Sequence, residues 1–209
     1  MSDSAKQPGQ ILKQNLWTAN PIFMQILGIC SALAVTNLLS NTMIMTLGVV
    51  FVTGMSNLTV AIIKSLIPRK VRMVVQTLII AFYVIIVDIV LRAYLPEISR
   101  NLGPYVGLII TNCIIMGRAE AFAQSNPPLL SLWDGITSGM GYMGVLLSIA
   151  LVRELLGFGA LFGFQVLPAG FEPWIIMVMP PSAFFLIGVI TWGGKYLMHR
   201  QGEPVLEGE

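Results

Sequence analysis

At 209 residues the chain is long enough for one or two ordinary domains, yet 56% of it is hydrophobic and only 11% is charged. Soluble domains carry about 25% charged residues, so this composition excludes a water-facing globule and makes lipid the solvent for most of the chain. The formal net charge of +2 says little about partners; no nucleic-acid partner is expected, and the informative property is where the charges sit.

Residues 1–20 are polar and are expected to form a cytoplasmic N-terminal segment. The first apolar run begins after them and is followed by further spans, which does not describe a secretory signal peptide. Ile26-Leu27-Gly28-Ile29-Cys30 has the outline of a lipoprotein cleavage box, but Ile29 stands where a small residue is needed.

Candidate spans follow at residues 22–39, 42–63, 73–94, 104–116, 136–152 and 175–198. The second, third and sixth are long and clean. The first and fourth are strongly apolar only over 22–35 and 105–116, before Thr36-Asn37 and Gly117-Arg118-Ala119-Glu120 interrupt them. A dozen or so residues reach about 20 Å, short of a ~30 Å hydrocarbon core.

Unusually short segments at corresponding places in two halves are the mark of inverted repeats with a site near the bilayer midplane. The expected fold is therefore an all-α integral membrane protein: six transmembrane helices as two inverted three-helix repeats, with the first and fourth helices short or broken. The membrane domain would cover 21–199, with repeat one at 21–100, repeat two at 103–199 and a cytoplasmic tail at 200–209.

Lys and Arg set the orientation. With six crossings, Lys6, Lys13, Lys64, Arg69, Lys70, Arg72, Arg118, Lys195 and Arg200 share one side, against Arg92, Arg100 and Arg153 on the other. Both termini are expected in the cytoplasm, and the acidic tail with Glu203, Glu207 and Glu209 is expected to be solvated.

Cys30 and Cys113 are the chain's two cysteines, and each follows a proline, Pro21 or Pro104, at the same spacing. A lone cysteine in a membrane helix is usually packing, and a disulfide would form only if the half-helices touch. Matched depth in two short spans, beside Thr111 and Asn112, favours a site instead. Thiolates bind iron, zinc and copper, and iron–sulfur clusters usually take four. His199 lies far from any midplane site, so two further thiolates would have to come from another chain of similar architecture. The two entering half-helices would offset part of the charge with their N-termini.

Other polar positions have plainer readings. Asp88 precedes Arg92 by one helical turn, which describes a local pair near the outer end of the third span rather than an ion site. Arg118 and Glu120 are expected to anchor the broken fourth helix. Ser131 and Asp134 fit a capping box at the start of the fifth span, and Arg153-Glu154 reads as its interfacial end. Gly139-Met140-Gly141-Tyr142-Met143-Gly144 matches a dinucleotide fingerprint, but that motif needs a preceding strand; inside an apolar span, Gly135 and Gly139 make a small-residue packing stripe. Asn57-Leu58-Thr59 fits a glycosylation acceptor yet lies within a span.

Residues 27–36 (LGICSALAVT) and 109–123 (IITNCIIMGRAEAFA) resemble the paired signatures of one family of membrane proteins, the family that contains the D subunit of the sodium-translocating NADH:quinone reductase (Nqr) and the E subunit of the Rnf complex. The resemblance covers nearly the whole chain, including 180–188 (PPSAFFLIG). Ser31-Ala32 and Ser182-Ala183-Phe184-Phe185 resemble the Nqr version more than the Rnf alternative. The resemblance implies a bacterial inner-membrane protein paired with a homologous six-helix partner, the Nqr E subunit, of opposite orientation. It implies that Cys30 and Cys113, with two cysteines of that partner, hold an intramembrane [2Fe-2S] cluster, though ligand counting alone also fits a single iron. Electrons would pass from the flavin-bearing F subunit towards the C subunit, with the A and B subunits completing a translocase that oxidises NADH, reduces ubiquinone and pumps sodium. No complete active site is expected in this chain. A secondary transporter of inverted-repeat design is the alternative of another class, and a purely structural scaffold the third.

Overall fold

In a computed structural model of the chain, the described residues are 27–68, 70–94, 96–161, 164–165 and 174–200. Expectations for the segment 1–20, for Pro21 and the start of the first span, for Arg69 and for the tail from 201 onward fall outside them.

The elements in chain order are α1 (Ile29–Val35), α2 (Leu39–Ile63), α3 (Arg72–Tyr94), α4 (Pro96–Ile110), α5 (Cys113–Arg118), α6 (Pro128–Phe158), α7 (Ile175–Val178) and α8 (Pro181–Arg200). α5 runs on as one π-helical turn, Ala119–Ala123. A two-residue antiparallel ladder, β1 (Ala160–Leu161) with β2 (Phe164–Gln165), follows α6. The chain is thus helical, and Leu39–Ile63, Arg72–Tyr94, Tyr105–Ala123 and Pro128–Phe158 are long and apolar enough to cross a membrane. This is a multi-pass membrane protein.

Three expected boundaries shift. The fifth span begins at Pro128 rather than at 136, because a proline at the first helical turn forfeits no hydrogen bond. The sixth, expected to be continuous over 175–198, is broken before α8: Pro180 has no N–H to donate, and Met179 before it is held extended at φ −69°, ψ 145°. The fourth breaks at Thr111-Asn112, and the helix then runs through Gly117-Arg118, where the sequence suggests an interruption. Arg118 and Glu120 find side-chain partners there, so their charges do not end the helix.

The centre of the fold is the antiparallel pair of α2 and α6. Gly54 faces Ile136, Gly139 faces Val50, and Leu39 meets Glu154. Gly135 is the closest approach: a Cβ there would stand 2.8 Å from the Thr53 carbonyl oxygen and 2.9 Å from Gly54 Cα. The small-residue stripe thus lets the two backbones touch, which lipid-solvated helices use in place of a hydrophobic driving force. Val49, Val52, Ile80, Ile114, Ile115, Leu146 and Ile149 complete the core around it. The outer faces of α3 and α8 remain apolar and uncovered, with Val74, Leu78, Phe82, Ile85 and Ile89 on one and Phe185, Val189 and Trp192 on the other. Apolar faces of this extent suit lipid or a partner protein.

Candidate functional site where two helix N-termini meet

Each cysteine lies in the first turn of a short helix, and the N-terminal ends of the two helices touch. Leu27-Gly28 turns into α1, with Gly28 at φ 90° as its N-cap, a conformation that glycine adopts without steric cost. Cys30 follows in the first turn. Thr111-Asn112 turns into α5, where Asn112 Oδ1 accepts the Ile114 N–H at 3.2 Å, and Cys113 opens the helix. Asn112 therefore caps a helix that starts inside an apolar segment and satisfies one of its free N–H groups.

Across the junction the Gly28 N–H donates to Cys113 Sγ at 2.9 Å. That contact brings Cys30, two residues beyond Gly28, to the same junction as Cys113. Both are free thiols, so the disulfide considered above is not formed; Cys30 is exposed and Cys113 is partly buried. Among the described residues no group of three or more His, Cys, Asp or Glu side chains gathers at one point. As a donor set, the junction offers two adjacent soft thiols, one of them opening outward. That fits half of a four-thiolate site and not a whole one.

Tyr142 stands between the starts of α1 and α5. It is fully buried in α6; its hydroxyl contacts Ser31 Oγ and lies 3.3 Å from Asn112 Nδ2. Ser31 also donates to the Gly28 carbonyl at 2.9 Å. Sequence reasoning misses Tyr142 because it lies in the glycine fingerprint that an apolar span rules out. The available signal is a tyrosine in mid-span, whose O–H must find a partner when buried.

The charged residues sort differently from one another. Asp88 pairs with Arg92 at 2.9 Å, with the arginine largely exposed, which is the local pair expected. Glu120 accepts from Gln76 at 2.9 Å and pairs with Arg72 at 3.1 Å. Arg118 grips Asp134 through two nitrogens, with Asp134 fully buried. Both residues after Cys113 therefore anchor the second break.

Two expectations are corrected. The Ser131–Asp134 capping box does not form, because α6 starts earlier; Ser131 lies within it and donates back to Pro127 O at 3.0 Å. Arg153-Glu154 is not an interfacial end, for both side chains are buried. Arg153 donates to Thr36 Oγ1 at 2.6 Å and to the carbonyls of Met177 and Val178 at 3.1 and 2.9 Å. Glu154 accepts the Leu39 N–H at 2.6 Å. Asn57 is buried in α2, away from any glycosylation role, and His199 lies in the last turn of α8.

Comparison with known proteins points the same way. Residues 9–191 match the family described as "Rnf-Nqr subunit, membrane protein". The chain is 52% identical over 188 residues to the D subunit of the Na(+)-translocating NADH-quinone reductase of Pseudomonas aeruginosa strain LESB58, covering 88% of this chain and 84% of the relative. It is 49% identical over 197 residues to the corresponding D subunit of Shewanella sp. strain ANA-3, covering 92% of this chain and 93% of the relative.

Proposed function

This chain belongs to the Rnf-Nqr family of membrane proteins, and from that premise we propose that it relays electrons across a bacterial inner membrane within a sodium-translocating NADH:quinone reductase. In this reading Cys30 and Cys113 supply two of the four thiolates of a [2Fe-2S] cluster, and a homologous six-helix partner, the E subunit, supplies the other two. Both termini face the cytoplasm.

The observation that carries the reading is the junction itself: two helix starts, each with a cysteine in its first turn, held together by the Gly28 N–H on Cys113 Sγ. The antiparallel α2–α6 pair supports the inverted-repeat plan of six helices. Its two ends make counterpart contacts, Arg153 of α6 to Thr36 between α1 and α2, and Lys64, just after α2, to the Asn126 carbonyl at 2.8 Å between α5 and α6. The D-subunit relatives favour the Nqr complex over Rnf.

Bound there, a [2Fe-2S] cluster supplies one-electron chemistry without proton transfer. Cys30 and Cys113 would hold it on this chain's side. Cys30, on the exposed side, faces the partner; Cys113 Sγ accepts the Gly28 N–H, and Asn112 caps the helix that Cys113 opens. NADH oxidation, quinone reduction and the flavins belong to the A, B, C and F subunits, so the chain is part of an enzyme and carries no complete active site.

The test is a single turnover of the anaerobically purified complex with NADH. Cys30→Ala and Cys113→Ala should leave the first flavin reducible and stall transfer beyond it. Onward transfer at the wild-type rate in both variants would overturn the proposal.

A further inference from the structure

Beneath the cysteine junction runs a chain of hydrogen bonds whose direction is fixed by what each group can do. Asn112 Oδ1 accepts the Ile114 N–H, so the amide nitrogen of Asn112 faces Tyr142, and the phenolic oxygen accepts from it. Ser31 directs its own proton to the Gly28 carbonyl, so the phenolic proton goes to Ser31 Oγ. Gly28, where that chain ends, turns its N–H to Cys113 Sγ. The Tyr142 ring presses on the same residue: a Cβ on Gly28 would come within 2.5 Å of Tyr142 Cε2. Tyr142 therefore holds Gly28 twice, by its ring and through Ser31. Ser31 directly follows Cys30 and Asn112 directly precedes Cys113, so one buried hydroxyl joins the side chains next to both cysteines.

We infer that Tyr142 is a positioning residue for the thiolate site: through Ser31 it holds Gly28 so that the Gly28 N–H points at Cys113 Sγ, and thereby sets the reduction potential of a centre bound there. The inference rests on the proposed reading of Cys30 and Cys113 as ligands. The physical link is the N–H dipole, whose positive end lies against a sulfur that gains negative charge when the centre is reduced. Hydrogen bonds to ligating sulfurs are among the factors that set iron–sulfur potentials. Losing this one disfavours the reduced state and lowers the potential. A tyrosine that merely filled the core would act through its ring, and loss of the hydroxyl alone would leave the potential unmoved.

The experiment is a redox titration of the purified complex followed by electron paramagnetic resonance, with iron measured per complex. Tyr142→Phe removes the hydroxyl and keeps the ring; Ser31→Ala breaks the same link from the other side and decides the matter if the first variant does not assemble. The expected result is wild-type iron content in both, with the midpoint potential shifted negative and an altered resonance line shape. Full iron with wild-type potential and line shape in both variants overturns the inference. A wild-type complex without cysteine-dependent iron instead overturns the ligand assignment beneath it, a distinguishable result.

Discussion

Arg153 of α6 donates to Thr36 Oγ1 at 2.6 Å, across the gap between α1 and α2. The same guanidinium reaches the carbonyls at the end of α7, while the adjacent Glu154 takes the Leu39 N–H at the start of α2. One charged dipeptide thus serves three helix ends, the cation at C-terminal ends and the anion at an N-terminal end, the sense that helix dipoles favour. In a bilayer each backbone group left without a partner costs several kcal/mol. A broken helix therefore persists only where such partners meet it.

Removing the cation should be costly. Arg153→Gln strips Thr36 and the α7 carbonyls of their charged donor, and each hydrogen bond to a charged group contributes about 1.5–3 kcal/mol. Thermal melting of the detergent-solubilised complex should show a marked fall, with Arg153→Lys intermediate because one ammonium cannot span the same set of acceptors. A wild-type melting curve for Arg153→Gln would remove this clasp from the account.

Gly135 and Gly144 offer a matched comparison on one helix. A methyl at Gly135 meets the α2 backbone, whereas one at Gly144 meets nothing within 4 Å. Gly135→Ala should cost about 1–3 kcal/mol through forced separation of α2 from α6, and Gly144→Ala should melt like the parent. Equal behaviour of the two would contradict the close α2–α6 packing.

Asp88 separates an ion-site reading from a local pair. Its partner Arg92 is 68% exposed, and a pair of that kind contributes about 0.2–1 kcal/mol. Asp88→Asn should leave the sodium dependence of quinone reduction in reconstituted vesicles unchanged, with at most a small loss of stability. A raised sodium requirement would restore the ion-site reading that the geometry disfavours.

The membrane class and the cysteine pair are legible in the sequence for plain reasons. Scarcity of charge dictates lipid as solvent, and matched proline–cysteine spacing in two short apolar runs is a local pattern. Asn112 reads as a polar neighbour of Cys113, but the sequence places the interruption at Gly117-Arg118 rather than at Asn112 itself. What stays hidden depends on contacts far apart along the chain. Arg153 and Glu154 end an apolar run, which reads as an interface; their partners Thr36, Leu39 and Met177 lie in other elements, and only the fold brings them together. Arg118 looks like an interruption as long as its partner Asp134 is assigned to a cap. The break before α8 is visible as Pro180-Pro181, yet the apolar residues on either side outweigh it in a hydropathy reading. Tyr142 needs the starts of α1 and α5 placed before its hydroxyl has a purpose.

The central claim is that Cys30 and Cys113 hold half of an iron–sulfur cluster, and iron counting tests it most directly. Iron and acid-labile sulfide should be measured per complex, purified without oxygen, for the parent and for the Cys30→Ala, Cys113→Ala double variant. The account predicts that the double variant assembles with its partners and has lost the two irons and two sulfides of one [2Fe-2S] cluster. An assembled double variant with undiminished iron and sulfide would contradict it.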